Sequence, residues 1–394
     1  MFRPLYNAFI APIKDQKMSS LYAALGTGVF GFAFIDLFFI LSLASLGAPS
    51  LIVFFTLRFV LANLMMHPAI TIAHNALGFR TTVISLSTVQ ALIMIYVAFD
   101  QTALTSPYLA AIFLAIANTP YWHFYHLVMT QKTSDHNRGN EVSIANILTS
   151  LAAAGGSIIA GTFADFHLND TGQWTGTLII ILATILMGRM VIITQDNKNN
   201  MTRTAKTSVL IMIARLKLST MKTASTIFFG VHQALTSFLL PVWLFLLGFD
   251  GLETGLILAA TILLKLIFSP FVGHLANQGA HKDIRLGCAL KIIGWTPWLI
   301  ITDPLLFGWS LTFWALGAHF HDTGIISRWY AARYNEDISG REMCLGMGRI
   351  IGTVAGVSIL FNAITVFPAL GLMIALLALG ASYLPDKPLV IPGR

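Results

Sequence analysis

The chain has 394 residues, of which 56% are hydrophobic and only 10% are charged, and its mean hydropathy is +0.75. A water-soluble domain of this length has no interior large enough for so much apolar surface, so the composition excludes an ordinary soluble protein. The net charge of +7 does not require a nucleic-acid partner, because basic loops that face anionic lipid account for it.

The apolar residues form repeated runs of roughly 20, the length that crosses a bilayer as a helix. We predict an all-α polytopic membrane protein, in which short loops make neighbouring helices antiparallel. The twelve predicted spans, numbered 1 to 12 along the chain, are residues 21–46, 50–72, 81–99, 106–128, 142–165, 174–194, 223–247, 252–274, 284–302, 305–328, 342–364 and 366–384.

The lysines and arginines are distributed unevenly between the loops. Of 24 such residues, 19 lie in the terminal segments and the alternate loops that share their side, or at the span ends that adjoin those loops, as Arg285 and Arg328 do. They include Arg341 just before span 11. Five lie farther inside spans, and none lies in the other loops. Of those inside spans, Arg189 and Lys291 are close enough to helix ends to snorkel to the interface.

This distribution predicts cytoplasmic N- and C-termini. The loops are compact and the first twenty residues are mixed and basic rather than a signal peptide. We therefore expect a monomer in a bacterial cytoplasmic (inner) membrane.

An internal repeat relates the two halves of the chain. At an offset of 201 residues, Gly139-Asn-Glu141 matches Gly340-Arg-Glu342, and Leu46-Gly47 matches Leu247-Gly248. The matches align spans 1 and 5 with spans 7 and 11. Repeats of this kind are the usual construction of secondary transporters, whose binding site lies between the repeats.

The longest polar segment separates these halves. It is basic, and its residues 209–218 suit an amphipathic helix on the inner membrane surface. We therefore predict two pseudo-symmetric six-helix bundles, 1–194 and 223–394, joined by a cytoplasmic linker at 195–222.

The turns after spans 2 and 8 carry related motifs. The first reads Thr71-x-x-x-Asn75-x-x-Gly78-x-Arg80, and the second reads Gly273-x-x-x-Asn277-x-x-Ala280-x-Lys282. With six plus six spans and a basic central loop, the chain resembles the major facilitator superfamily, whose motif is Gly-x-x-x-Asp-x-x-Gly-x-Arg/Lys. Asparagine replaces the family's aspartate in both copies. The resemblance implies a gating role for Asn75, Gly78, Arg80 and Asn277, and it identifies no substrate.

Ionisable side chains inside spans are costly to bury and are therefore functional candidates. Asp36 lies 11 residues before Gly47 and Arg58 lies 11 residues after it. Both therefore sit ~16 Å from that end of the membrane and are predicted to pair. Asp322 in span 10 and Arg349 in span 11 also match in depth. We expect these two pairs to provide proton coupling; the alternative is two permanent structural ion pairs.

The resemblance to the superfamily also implies a cavity lined by spans 1, 4, 7 and 10. On span 4, polar and aromatic residues recur at helical spacing from Asn118, and the repeat maps this face onto His319 and Asp322 of span 10. Span 7 adds a polar face that begins at His232. Simple helix packing is the alternative role for each histidine and aromatic. The expected substrate-binding residues are Asn118, Tyr121, Trp122, Tyr125, His126, His232, Gln233, Thr236 and His319.

These features favour a secondary active transporter that moves a small organic solute by alternating access, with proton coupling. Aromatic residues and few fixed charges favour a neutral, zwitterionic or amphiphilic solute. Because Arg58 and Lys265 are cationic, an anionic solute remains an alternative. The alternative is a transporter of a metal ion or a metal–siderophore chelate, because His232, His319 and Asp322 are ligand types that suit transition metals.

Two other classes of function are considered. A non-transporting receptor or assembly factor on the same scaffold stays open, because fold does not fix function. A membrane metalloenzyme is disfavoured, because the histidines are scattered rather than clustered. We expect no enzymatic activity, no resident metal and no cofactor. The expected partners are a small-molecule substrate, protons and membrane lipids, without nucleic acid.

Overall fold

The computed structural model describes residues 16–99, 106–132, 138–166, 169–194, 220–299, 304–330 and 335–384. Within these ranges the secondary structure is helical, with two π-helical and two short 3-10 segments and no β-strand. The predicted all-α fold is therefore confirmed. The predicted linker lies almost wholly outside the described residues, so the domain division at 195–222 stays a prediction.

The helices of the described residues cover all twelve predicted spans. Span 2 is an α-helix with a π-helical middle, and span 7 contains a π-helical turn before its last segment. In chain order the segments are Gln16–Ala44, Ala48–Phe59, Val60–Met66, His67–Leu77, Phe79–Phe99, Pro107–Lys132, Arg138–Asp165, Asn169–Thr194, Thr220–Gln233, Ala234–Phe238, Leu240–Leu246, Gly251–Trp295, Pro297–Leu299, Pro304–Tyr330, Asn335–Asn362, Ile364–Val366 and Phe367–Ala381.

Six helices of the described residues are individually long and apolar enough to cross a membrane; they belong to spans 1, 2, 5, 7, 11 and 12. Spans 4 and 10 fall below that measure because they carry polar and aromatic side chains such as Trp122, His126 and Asp322. A helix that faces an interior cavity on one side needs an apolar surface only where it meets lipid. The count of twelve spans thus rests on the architecture and not on hydropathy alone.

Spans 8 and 9 were predicted as separate helices, whereas the structure describes one continuous helix, Gly251–Trp295. This helix nevertheless reverses direction. Ser269 Oγ lies 2.7 Å from His319 Nε2, and a Cβ atom built on Gly287 would lie 2.5 Å from the backbone nitrogen of His321. A straight helix would separate residues 269 and 287 by ~27 Å, yet both contact the same turns of span 10. Its two limbs are therefore antiparallel, as predicted for spans 8 and 9.

The two halves have matching geometry. Gly47 and Gly248, which the repeat aligns, end spans 1 and 7 with φ of 93° and 94°. Span 5 packs against span 8, and span 11 packs against span 2. The repeat relates spans 2 and 5 to spans 8 and 11, so these two contacts are equivalent. We use "basic end" for the end of the bundle near Leu77, Lys132 and Tyr330, and "opposite end" for the end near Gly47 and Gly248.

Spans 5 and 8 approach closely through glycine. A Cβ atom on Gly255 would lie 2.5 Å from the carbonyl oxygen of Ser157, so only glycine fits this crossing. At the opposite end, the Asp165 carboxylate of span 5 accepts hydrogen bonds from the backbone N–H groups of Gly251 (2.9 Å) and Leu252 (2.7 Å). A carboxylate at a helix N-terminus satisfies unpaired N–H groups and the helix dipole. One half therefore caps a helix of the other.

We expect Gly255→Ala to lower the melting temperature of the purified protein by several degrees, because overpacking of a tight contact costs about 1–3 kcal/mol. Gly26→Ala is the matched control, because nothing lies within 4 Å of a Cβ atom built on Gly26. Thermal unfolding in detergent measures both. Equal melting temperatures for the two variants would show that the span 5–span 8 crossing tolerates a side chain.

Candidate functional site

A cavity of about 440 Å³ lies between the two halves. Spans 1, 2, 4 and 5 line one side, and spans 7, 8, 10 and 11 line the other. Its volume falls within the range of small-molecule sites. The acidic and basic side chains of the lining, histidines aside, are four cations and three carboxylates: Asp36, Arg58, Lys265, Asp322, Arg341, Glu342 and Arg349.

Asp36 and Arg58 make the contact that their matched depths predict. Arg58 Nη2 donates to Asp36 Oδ2 over 2.9 Å. Arg58 is only 3% exposed, and its guanidinium lies 5.6 Å from the ring centroid of Phe238, which belongs to the other half. The pair therefore stands at the boundary between the halves. Its role in proton coupling stays a prediction.

Glu342 is the centre of a polar network that joins the two halves, and the sequence reasoning missed it. Asn63 Nδ2 donates to Glu342 Oε2 over 3.0 Å, and Arg341 donates to Oε1. Farther off are His126 Nε2 at 3.6 Å, His67 Nε2 at 3.7 Å and Arg349 Nη1 at 3.9 Å. Two spans of the first half thus meet one carboxylate of the second.

The internal repeat contains Glu342 and aligns this residue with Glu141 of span 5, which was the one signal in the sequence that could have drawn attention to it. Both glutamates are buried, with exposures of 4% and 8%. Arg341 had been counted as a loop residue. The helix Asn335–Asn362 begins seven residues earlier than predicted, so Arg341 is buried inside it.

The predicted pair of Asp322 with Arg349 is wrong. Arg349 Nε and Nη2 both donate to Gln233 Oε1, over 3.0 and 2.8 Å, and Nη1 donates to Asn63 Oδ1 over 3.3 Å. Matching depth placed the two residues at one level, but the guanidinium turns toward spans 7 and 2. Depth alone does not determine which neighbour a side chain faces.

Lys265 and Asp322 both line the cavity, on spans 8 and 10. Among the described residues, neither makes an ion pair within 4.0 Å or a side-chain hydrogen bond. Each does lie within electrostatic range of the other. The cavity therefore presents one cation and one carboxylate that no described residue pairs.

The predicted face of span 4 is present, with one correction. Asn118, Trp122, Tyr125 and His126 line the cavity, whereas Tyr121 does not. The Tyr121 hydroxyl donates to the carbonyl oxygen of residue 24 over 2.7 Å, and its ring fills the space above residue 28. Helical spacing puts positions 118, 122 and 125 on one line and position 121 at its edge, against span 1.

The candidates on spans 7 and 10 all line the cavity. His319 bridges span 10 to Ser269 of span 8, and Gln233 holds Arg349. The Thr236 hydroxyl donates to the His232 carbonyl oxygen over 2.8 Å. The His232 ring lies between tryptophans, and neither of its nitrogens has a hydrogen-bond partner among the described residues.

The predicted gating residues are described in part. Gly78 follows the helix His67–Leu77 with φ of 84°, and Arg80 is exposed at the start of span 3. The side chains of Asn75 and Asn277 lie outside the described residues. Their gating role stays a prediction.

Lys291 does not snorkel. It is fully buried, its Nζ lies 2.6 Å from His321 Nδ1, and the same nitrogen lies 5.4 Å from the ring centroid of Phe229. Span 9 turns this side chain toward span 10, inside the second half and away from the membrane surface.

The structure gives no support to the metal-ion alternative. It requires His232, His319 and Asp322 to converge, but His319 bonds a serine and His232 stands among tryptophan rings. No group of three His, Cys, Asp or Glu side chains in the described part of the chain is arranged to hold a metal ion.

We expect Arg58→Ala to lower stability strongly, because removing one partner of a buried ion pair costs about 3 kcal/mol or more. The double variant Arg58→Ala with Asp36→Asn is expected to recover part of that loss, because no buried charge then lacks a partner. Melting temperatures of the wild type, both single variants and the double variant form the cycle. Additive effects would show that the two side chains do not interact energetically.

The sequence matches no family model and no curated protein. Comparison of the structure with solved structures does find similar proteins. They include the human organic anion transporter MFSD10 (TM-score 0.62, 12% identity, 91% of this chain and 98% of that chain) and the E. coli fucose:proton symporter FucP (TM-score 0.62, 12% identity, 92% and 98%). The nucleoside transporter NupG is also similar, with a TM-score of 0.65, 12% identity and coverage of 93% and 98%.

At 12% identity these similarities concern the fold. They cover nearly the whole chain, with TM-scores of 0.62 to 0.65. The chain is an all-α polytopic membrane protein with the fold of major facilitator superfamily transporters.

Proposed function

We propose that the protein is a secondary active transporter that moves a small organic solute by alternating access, driven by protons. The observation that carries this proposal is the cavity between two related halves, which Lys265 and Asp322 line without an ion-pair partner among the described residues. Sites of secondary transporters lie near the midplane at the interface between their repeats. The similar solved structures are transporters of small solutes, and one is a proton symporter, which supports the same class.

The charges of the cavity favour a zwitterionic solute. Asp36 pairs with Arg58, and Glu342 with Arg341, so these side chains are occupied. A buried charge without a partner is costly, and a ligand of opposite charge removes that cost. Two opposite charges that do not touch each other fit a solute with a cationic group for Asp322 and an anionic group for Lys265.

The remaining lining suits an organic body for this solute. Trp122 packs edge-to-face on Tyr125 and stacks on His126, with centroid distances of 5.6 and 5.8 Å. All three belong to span 4, opposite the charges of spans 8 and 10. Aromatic side chains give a large apolar contact area with few rotatable bonds. We therefore place the solute between the aromatic face of the first half and the charged face of the second.

Proton coupling is assigned to the Asp36–Arg58 pair. The pair joins spans 1 and 2 and contacts Phe238 of span 7, so its state bears on how the two halves meet. Protonation of Asp36 releases Arg58, which changes the charge that the cavity presents. We also propose a bacterial inner-membrane location with cytoplasmic termini, which rests on the distribution of lysine and arginine between the loops.

A thermal-stability screen tests the class of solute. The probes are amino acids and dipeptides, their methyl esters (cation only) and their N-acetyl derivatives (anion only). We expect at least one zwitterion to raise the melting temperature more than either single-charge analogue; at 100 times its dissociation constant it adds ~2.7 kcal/mol. Asp322→Asn removes the carboxylate for the cationic group, so this variant is expected to bind the zwitterion no better than its N-acetyl derivative. Lys265→Gln removes the cation for the anionic group, so this variant is expected to bind the zwitterion no better than its methyl ester.

Lys282→Gln is the matched control, because Lys282 is exposed near the basic end. Equal or better stabilisation by a single-charge analogue would refute the zwitterion and leave the transporter class intact. Stabilisation by metal–siderophore chelates alone would favour the chelate alternative. Tight binding without flux into proteoliposomes would identify a receptor.

Asp36→Asn is expected to abolish proton-driven accumulation of the stabilising solute in proteoliposomes while leaving solute exchange at least partly intact. The amide keeps the size of the side chain but carries no titrating proton. The measurement compares uptake against an imposed pH gradient with counterflow at equal pH. Unchanged accumulation would remove Asp36 as the coupling group.

A further inference from the structure

The helices of the two halves are joined at the basic end by a cluster of polar side chains, which we name the Glu342 cluster. Its members are Asn63, His67, His126, Arg341, Glu342 and Arg349. They line the part of the cavity nearest the basic end. One turn beyond them, Thr71 Oγ of span 2 lies 2.6 Å from Ser339 Oγ of span 11. These two residues are 1% and 0% exposed, so water does not reach this junction.

The protonation state of His126 follows from its hydrogen bond. Arg341 Nη1 lies 3.1 Å from His126 Nε2, and a guanidinium is only a donor. His126 Nε2 must therefore accept, so this imidazole is neutral in the joined state. A proton on Nε2 would face the arginine N–H group directly. Glu342 Oε1, 3.6 Å away, would then be an acceptor for this proton, in competition with Arg341.

The net charge of the Glu342 cluster determines whether proton uptake favours the joined or the separated halves. Two arginines surround one glutamate, so the cluster carries +1 while its imidazoles are neutral. A proton added to His126, or to Glu342 itself, raises this charge to +2. Uncompensated charge away from water is strongly destabilising, and hydration relieves it. Proton uptake therefore favours states in which the halves separate here and water enters.

The other charged groups near the cluster do not cancel this excess. His67 Nδ1 of span 2 lies 3.1 Å from His123 Nδ1 of span 4, so at least one of these rings is also neutral. Asp322 of span 10 lies within electrostatic range of Arg341, and Lys265 offsets its charge. The Asp36–Arg58 pair adds no net charge.

We propose that His126 is a second proton-binding site, at which protonation opens the basic end of the bundle. The proposal rests on the proposed transport function and deepens it. While the basic end is joined, a proton reaches His126 from the cavity that this side chain lines. The same proton then favours opening toward the basic end.

Disulfide trapping tests this without any solute. Thr71→Cys and Ser339→Cys place two thiols where hydroxyl oxygens now lie 2.6 Å apart, close to disulfide geometry. The native Cys288 and Cys344 are buried, and the two single-cysteine variants control for them. Full-length protein in nanodiscs is oxidised briefly at pH 8 and pH 5.5, and mass spectrometry counts the remaining engineered thiols.

The comparison protein carries His126→Gln as well, because glutamine keeps an acceptor for Arg341 but does not titrate. The ratio of the two cross-linking rates removes the pH dependence of thiol chemistry itself. We expect His126-containing protein to cross-link about threefold or more slowly than the glutamine variant at pH 5.5, and equally fast at pH 8. His281→Gln, at an exposed position, is expected to behave like the parent.

Two charge variants test the sign. Glu342→Gln raises the net charge of the cluster to +2 permanently, so we expect it to slow cross-linking at both pH values. Arg341→Gln lowers this net charge to 0, so we expect cross-linking to stay fast at pH 5.5. Equal pH dependence with and without His126 would overturn the proposal, as would faster cross-linking in acid. Because no solute is present, these outcomes are independent of whether the zwitterion screen succeeds.

Discussion

The structure depends on how it accommodates ionised side chains in an interior shared by two helix bundles. Burial away from water demands a partner for each charge, and most partners come from a different helix. Arg58 is neutralised by Asp36, while Glu342 draws Asn63 toward it from the other half. These contacts orient the helices around the cavity. They also leave Lys265 and Asp322 as the charges available to a ligand.

The two equivalent contacts between the halves use different chemistry. Spans 5 and 8 meet through a glycine crossing, and the Asp165 carboxylate caps the helix of span 8. Spans 2 and 11 meet through titratable and hydrogen-bonding side chains around Glu342. Alternating access requires interfaces with two stable arrangements, and an ionisable junction responds to protons whereas a glycine crossing does not. The pseudo-symmetry of the fold therefore does not extend to its interactions.

The sequence located some site residues and missed others for identifiable reasons. Asp36 and Arg58 are on consecutive spans joined by a short turn at Gly47, so counting residues from that turn was enough to pair them. Asp322 and Arg349 also lie on consecutive spans, but the Arg349 side chain turns toward Gln233. The direction of the Arg349 side chain depends on how three helices cross, and residue counting does not predict that crossing.

The sequence by itself determined the all-α membrane fold, the order of the helices and the equivalence of Gly47 with Gly248, because hydrophobic length, loop charge and the repeat are local properties of the chain. It also contained Glu342 within a repeated motif without indicating its importance. Only the tertiary structure decided that Glu342 joins the halves, that Tyr121 packs outside the cavity and that Lys291 is buried. Each of these depends on which helix faces which, and that follows from packing the whole bundle.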